Sequence, residues 1–307
     1  KYLKRHGRHY DIIHDNQSLS FGMLTLQKLG FPLITTIHHP ITSDLDIALK
    51  AAKNWRERVL IRRWHSFIAM QRQVAPQLHH VVTVSERSRE DIAAAFGMQP
   101  AAIQLVHCGI DTDEFRPLGN VPKVARRLMA TVSADQPLKG MRYLLEAMAE
   151  ILPRYPDLQL LMVGNIREGS EVDQLISRLK LREHIVTVSG ISTEQLVHFY
   201  NEAEVAVVPS VYEGFGLPAG EAMACGTALV STDGGALPEV TGDAALQVPV
   251  RDSASMAKAI DTLLADADLR RRYELAGRQR MEDIFCWQRA AGQMLDYYEQ
   301  VLRSENG

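Results

Sequence analysis

Two acidic residues, Glu213 and Glu221, stand in the segment Pro209-Ser-Val-Tyr-Glu-Gly-Phe-Gly-Leu-Pro-Ala-Gly-Glu-Ala-Met-Ala-Cys-Gly226 with seven residues between them. The segment follows the apolar run 205–208, which reads as a strand, and leads into a short helix. Gly214 and Gly216 let the backbone come close to a ligand, and Pro218 suits the start of a helix, where a missing N–H costs nothing. Free backbone N–H groups at such a start make an anion site, and phosphate is the natural occupant. Glu213 then sits in the loop just before the helix and Glu221 about one turn inside it. Both carboxylates can face one cleft with an anion between them. Carboxylates only accept hydrogen bonds, which suits the O–H donors of a sugar or a ribose. In isolation the pair reads as two surface glutamates flanking a Gly-rich turn. Taken alone, Lys139 is a solvated lysine, Gly164 and Gly190 are strand-end turns, and His38 is a structural histidine at a strand end. Such signals become chemistry only in a confirming context.

The elements that would position these residues alternate along the chain. Short β-branched runs at 11–14, 33–38, 80–84 and 103–106 predict strands, as do 128–132, 158–163, 185–188, 205–208, 228–231 and 245–248. Helical patterns fall near 19–29, 46–75 and 86–95, then at 140–152, 170–180, 193–202, 218–225 and 253–265, with two more helices toward the C-terminus. Strands of this length alternating with helices predict an α/β chain with parallel sheets covered on both faces. Two such blocks in series predict two Rossmann-like domains. Ligands in open parallel sheets sit beyond the carboxyl ends of the strands, near a topological switch point, so the loops that follow strands are where chemistry is sought. The break falls at Phe115-Arg-Pro-Leu-Gly-Asn-Val-Pro122, where two prolines and a glycine interrupt both periodicities. It divides the chain into 1–117 and 118–307, with the last helices packing back toward the first domain.

The 307 residues carry 34 Lys and Arg against 37 Asp and Glu, with 46% hydrophobic and 23% charged residues. This composition excludes disorder, collagen and coiled coil, and the near-neutral balance argues against a dedicated nucleic-acid binder. No apolar run approaches the roughly 18–20 residues of a membrane-spanning helix. Cys108, Cys225 and Cys286 lie far apart with no CxxC pair, which fits a reducing, cytoplasmic compartment and excludes a cysteine zinc site. Nine of the 11 histidines fall in residues 1–117, but His6, His9 and His14, and the pair His79-His80, make no metal constellation. No catalytic metal and no cofactor are expected. Residues 50–72 carry Lys50, Lys53, Arg56, Arg58, Arg62, Arg63 and Arg72 against Glu57 alone, with Trp55, Leu60, Trp64 and Phe67 interleaved. A basic, aromatic amphipathic helix can lie peripherally on the anionic inner face of a membrane. The imperfect apolar period favours the other reading, a helix that buries its aromatics against the sheet and solvates its arginines. The chain opens at Lys1 almost directly onto the strand pattern ending at His14, with no signal-peptide pattern, so a preceding N-terminal part is expected.

The block Glu213-Gly-Phe-Gly-Leu217 with Glu221-Ala-Met-Ala-Cys-Gly226 closely resembles the E-x7-E signature of the retaining glycosyltransferases of family 4, the group 1 glycosyl transferases of GT-B architecture. Further segments resemble that family in the same order. They are Thr36-Ile-His38, Val82-Thr-Val-Ser85, Val106-His-Cys-Gly-Ile-Asp111 with Phe115-Arg-Pro117, and Pro137-Leu-Lys-Gly140. They continue with Leu161-Met-Val-Gly164, Val188-Ser-Gly190, Gly234-Gly235 with Glu239-Val240, and Phe285-Cys-Trp287. The resemblance implies a GT-B fold whose two parallel sheets face a cleft. The first, acceptor-side domain is expected to be incomplete, because the family's first strand and Gly-rich loop would precede Lys1. It implies an enzyme that moves a sugar from a nucleotide-sugar donor, UDP- or GDP-linked, to a sugar or lipid-linked acceptor, with retention of configuration and without a metal.

By the same resemblance Glu213 contacts hydroxyls of the transferred sugar and Glu221 holds the nucleotide ribose. The backbone of Gly214, Phe215, Gly216 and Leu217 meets phosphate and sugar, and Gly164 and Gly190 line the nucleotide pocket. Lys139 neutralises the leaving diphosphate as charge builds on it, and His38 faces the sugar from the acceptor side. One departure stands out: the family's arginine five residues before the phosphate lysine is missing, with Ser133-Ala134 at that place. One of two diphosphate cations is then absent unless Arg142 or another arginine reaches in. This departure keeps open a non-catalytic sugar-nucleotide-binding subunit, and the fold keeps open another GT-B enzyme such as a nucleotide-sugar epimerase. Donor turnover that depends on acceptor separates the transferase from both.

Overall fold

The computed structural model describes residues 2–6, 9–131 and 136–305. The elements run α1 (Tyr2–His6), β1 (Ile13–Asn16), α2 (Phe21–Lys28), β2 (Leu33–Thr36), α3 (Thr42–Ala51), α4 (Trp55–Trp64), α5 (Ile68–Val74), β3 (His80–Thr83), α6 (Glu86–Phe96) and β4 (Ile103–Leu105). They continue as β5 (Arg127–Thr131), α7 (Met141–Ile151), β6 (Gln159–Val163), α8 (Glu171–Arg178), β7 (Ile185–Val188), α9 (Thr193–Glu202), β8 (Val205–Val208) and α10 (Leu217–Ala224). The last are β9 (Ala228–Thr232), α11 (Leu237–Thr241), β10 (Leu246–Val248), α12 (Ser253–Ala265), α13 (Ala267–Ile284) and α14 (Trp287–Glu305). Two compact units result, Lys1–Cys108 with Gln288–Gly307, and Gly109–Trp287.

The first unit holds a four-stranded parallel sheet in the order β1-β2-β3-β4. Alternation along the strands sends Leu33 and Val81 to one face and Ile34 and Val82 to the other. The first pair joins Leu19, Ile37, Val74, Ile92, Phe96 and Ile103. The second pair joins Val106 with Tyr297 and Val301 of α14. The C-terminal helix therefore covers the second face of this sheet, which is why it is counted with the first unit.

The second unit holds a six-stranded parallel sheet in the order β10-β9-β8-β5-β6-β7. Every residue of β8 and β9 is buried, as expected of central parallel strands covered on both faces. α7 and α12 supply Leu144, Leu145, Met148, Ile260 and Leu263 to the core that rests on Leu128, Leu160 and Val205. The chain runs outward from β5 through β6 and β7, then returns to build β8, β9 and β10 on the other side of β5. A topological switch point thus lies between β5 and β8.

Three features differ from the sequence reading. The expected linker at 115–122, and the residues from 109 that were read as the end of the first domain, are fastened to the second unit: Arg278 donates to the carbonyls of Thr112 and Phe115 as well as Ala224, and Leu118 N–H donates to the Asn201 side chain. The division accordingly falls after Cys108, and residues 109–117 go with the second unit. The helix expected over 46–75 is three helices, because Asn54 takes an extended backbone and its side chain accepts from Glu57 N–H at 2.9 Å, starting α4 afresh. The expectation that this segment buries its aromatics against the sheet fails in α4, which buries none of its residues and exposes Trp55 and Trp64, while Phe67 beyond it is half-buried.

Candidate active site

The loops after β5 and β8 straddle the switch point, and they carry Lys139 and Glu213. Lys139 ends a single 3-10 turn, Pro137–Lys139, closed by Gly140 at φ +66°. A Cβ at Gly140 would overlap the Pro209 carbonyl oxygen, so only glycine lets the two loops touch here. Val211 N–H donates to the Leu138 carbonyl at 2.8 Å. The loop after β9 closes from the other side: the Thr232 hydroxyl donates to the Ser210 carbonyl, and Ala236 N–H donates to the Glu213 carbonyl at 2.9 Å. Gly235, at φ +64°, passes so near that a Cβ would overlap that same Glu213 oxygen. Loops from three neighbouring strands thus fix the backbone of Glu213. Its Oε1 accepts from Lys139 Nζ at 2.7 Å and from Ser210 Oγ at 2.7 Å.

The helix that follows is α10. Gly216 at φ +101° opens it, Pro218 lies in its first turn, and among the described residues no side chain caps its start. Its first turn is the positive end of the helix dipole. The side chain of Phe215 is buried edge-on against Phe285, with ring centroids 5.7 Å apart, so this residue can offer only its backbone to a ligand. Leu217 is exposed.

Glu221 lies in a different set of hydrogen bonds. Its Oε2 accepts from the Tyr200 hydroxyl at 3.1 Å, and that hydroxyl is 3.0 Å from Thr131 Oγ1 at the end of β5. Tyr200 has a single phenolic proton; donating it to the carboxylate makes Thr131 the donor to Tyr200. Burial raises the Glu221 pKa, and the Tyr200 hydrogen bond pulls it back. Burial and, after it, the Glu221 charge push Tyr200 well above its ordinary value, which keeps the phenol a donor.

The other sequence-predicted residues are spread more widely. Gly164 follows β6 and donates its N–H to the Val188 carbonyl at 2.8 Å, while Gly190, at φ +66°, follows β7. Both lie on the far side of β5 from Glu213. His38 belongs to the first unit, just after β2. Its Nε2 is 2.6 Å from Asn16 Oδ1, and its backbone N–H donates to Gln17 Oε1 at 2.8 Å. An amide oxygen only accepts, so Nε2 carries the ring proton and Nδ1 keeps its lone pair. Burial, then the neighbouring His39 and His14, lower the His38 pKa. Ser133 and Ala134 lie outside the described residues. Arg142 pairs with Glu146 at 2.8 Å.

The residues that Lys139, Glu213 and Glu221 lean on escaped the sequence reading as functional groups. Ser210 sits inside the quoted segment, but a hydroxyl three residues before a glutamate has no distinctive pattern. Tyr200 lies on the apolar side of α9 and reads as core. Gly235 was legible only as part of a familiar Gly-Gly pair. Among the described residues no three His, Cys, Asp or Glu side chains gather as ligands for a metal ion, and no helix is long and apolar enough to cross a membrane.

Comparison with known proteins places the chain in a family. The model of glycosyl transferases group 1 matches residues 119–280, and that of glycosyltransferase family 4 matches residues 1–114. The MMP alpha-(1->4)-mannosyltransferase of Mycolicibacterium hassiacum is 40% identical over 296 residues, covering 95% of this chain and 71% of that protein. The D-inositol 3-phosphate glycosyltransferase of Geodermatophilus obscurus is 31% identical over 311 residues, covering 94% of this chain and 66% of that protein. Among solved structures, a sucrose-phosphate synthase from Thermosynechococcus elongatus matches with a TM-score of 0.81 at 27% identity, over 99% of this chain and 77% of that one. HepE of Anabaena, solved in complex with UDP, shares the fold with a TM-score of 0.79 at 16% identity, over 97% of this chain and 81% of that one. With two parallel-sheet α/β units and matches that run through both, the chain belongs to the group 1 glycosyltransferases of GT-B fold.

Proposed function

We propose that the chain transfers a sugar from a nucleoside-diphosphate donor to a hydroxyl of a sugar or lipid-linked acceptor, with retention at the anomeric carbon. The observation that carries this reading is the Lys139–Glu213–Ser210 cluster at the switch point, beside the uncapped start of α10. In the step proposed, the bond from the anomeric carbon to the diphosphate oxygen breaks, and the acceptor oxygen bonds to that carbon on the same face. The acceptor proton passes to the departing phosphate oxygen. Lys139 and the N–H groups of the α10 first turn neutralise the charge that develops there, with no divalent ion assigned. Glu213 accepts from sugar hydroxyls, and Glu221 from a ribose hydroxyl. Gly164 and Gly190 border the nucleotide, and His38 offers its unprotonated Nδ1 on the acceptor side. UDP in the HepE complexes and the mannosyltransferase name of the 40%-identical relative support a UDP- or GDP-linked donor.

The test is thermal denaturation with UDP, GDP, ADP and their common sugars, on the chain and on Glu221→Ala and Glu213→Ala. A ligand at 100 times its dissociation constant stabilises by about 2.7 kcal/mol. The expected outcome is a shift with one base that Glu221→Ala abolishes, with Glu213→Ala keeping the nucleotide response but losing the sugar's contribution and transfer. Normal transfer by both variants overturns the site assignment.

A further inference from the structure

The turn that leaves β1 is strained and closely tied down. Gln17 and Leu19 take left-handed backbones, at φ +57° and +45°. Among the described residues the other non-glycine cases are Arg126, Lys180 and Arg251, and those three are exposed. Left-handed backbone costs an L-residue free energy and persists where its surroundings over-determine it. Leu19 is fully buried in the core with Leu33, Ile37 and Val81. Asp15 holds Ser18 twice, accepting from its N–H at 3.1 Å and from its hydroxyl at 2.6 Å. Between these two anchors the Gln17 side chain is laid across the loop after β2. Its Oε1 accepts from His38 N–H at 2.8 Å, and its Nε2 donates to the His39 carbonyl at 3.1 Å.

We propose that Gln17 is a positioning residue for transfer: its amide brackets the backbone of His38 so that the ring, tied by Asn16, presents Nδ1 to the acceptor at one fixed angle. This rests on the reading of His38 given under the proposed function and adds the residue that aims it. A turn that only reversed the chain would carry glycine at 17, which takes this backbone without strain. Glutamine bears that cost, and its amide has both the acceptor and the donor that the bracket needs, whereas a carboxylate lacks the donor. The left-handed φ is part of the device, since an ordinary φ, more than 100° away, would send the side chain in another direction. The remaining contacts complete the hold. Asn16 Oδ1 takes the ring at Nε2, 2.6 Å away. On the other flank Ile37 N–H donates to the Val82 carbonyl, and the Ile37 carbonyl accepts from Thr83 Oγ1, both at 2.8 Å.

The test compares the parent chain with Gln17→Gly and Gln17→Glu. Glycine removes the amide and relieves the strain at φ +57°, so the melting temperature is expected to stay close to that of the parent. Glutamate keeps the acceptor for His38 N–H but sets an oxygen against the His39 carbonyl. Transfer is measured from UDP-glucose and GDP-mannose to the methyl α-glycosides of glucose and mannose. A misplacement of about 1 Å costs about 100-fold in rate, so both variants are expected to lose about 10- to 100-fold in kcat. Donor KM and the nucleotide-induced thermal shift should not change. Ring-proton NMR of Gln17→Gly should show the His38 pKa moving up toward its ordinary value, because burial, then His39 and His14, now hold it down. Parent kcat in Gln17→Gly overturns the proposal. So does a loss of kcat matched by a loss of donor response or by a fall in melting temperature, which is general loosening, and so does an unmoved His38 titration. A parent chain that moves sugar to neither acceptor counts against the transfer reading, and the His38 titration then decides by itself whether Gln17 holds the histidine.

Discussion

Replacing Tyr200 by phenylalanine tests how Glu221 is held. The change removes one oxygen and leaves the ring in a site that is 1% exposed, so packing is preserved. It deprives Glu221 of a donor at 3.1 Å and Thr131 of an acceptor at 3.0 Å. A hydrogen bond to a charged group is worth about 1.5–3 kcal/mol, or about 10- to 150-fold in an equilibrium constant. The sign follows from the shift already present: burial has raised the Glu221 pKa above its ordinary 4.5, and the Tyr200 bond opposes that rise. Phenylalanine removes the opposition, so the folded-state pKa climbs further. A carboxyl with a raised folded pKa contributes stability that is present below 4.5 and lost as pH rises through the folded value. The stability gap between the chain and Tyr200→Phe should therefore be small near pH 4 and reach about 1.5–3 kcal/mol at pH 7 to 8. Donor affinity should show the mirror image, because a protonated Glu221 cannot accept from ribose in the way a carboxylate does. The variant should bind nucleotide weakly in mildly acidic buffer and recover as pH rises through its higher Glu221 pKa. Thermal melts and calorimetric titration across pH 4 to 8 measure both. A gap in stability that does not change with pH, with donor affinity equal to that of the parent throughout, refutes the assignment of Tyr200 as the residue that positions Glu221.

Gly235→Ala places a Cβ on the Glu213 carbonyl oxygen at a backbone of φ +64°. The left-handed conformation alone costs about 1–2 kcal/mol for an L-residue, so melting temperature and nucleotide response should fall together; an unchanged melt would show that the loops do not clamp Glu213. Asn16→Asp sets a carboxylate against His38 Nε2 in place of an amide oxygen at 2.6 Å. The His38 pKa, now lowered by burial and by His39 and His14, should rise, and ring-proton NMR titration showing no upward movement would refute the contact. Lys139→Met leaves the largely buried Glu213 carboxylate with Ser210 alone, at a cost of about 1–3 kcal/mol, and adding Glu213→Gln should recover most of that stability without restoring donor binding. Full donor binding by the double variant would mean that the pair is structural.

The ten strands were legible to within two residues at each end, the central ones because buried parallel strands are unbroken apolar runs, and β8 and β9 are buried at every position. The helices around 46–75 were not. Their break at Asn54 uses no proline or glycine, and α4 buries none of its residues, so no apolar stripe marks it. The candidate site divides in the same way. The loop of Glu213 was legible because glycines and Pro218 punctuate it. The partners of the two glutamates were not, and the expectation that both carboxylates face one cleft meets two separate sets of hydrogen bonds, one with Lys139 and Ser210 and one with Tyr200 and Thr131. Those sets are dictated by strand order. Lys139 is 74 residues from Glu213 in sequence, and it reaches the carboxylate because the chain reverses its direction of winding and lays β8 beside β5. Had β8 been added beyond β7 instead, β6 and β7 would stand between the two loops, each strand adding about 4.8 Å. Spacing along the chain could indicate which loops carry chemistry, but only the switch in winding decides which cation meets which acid.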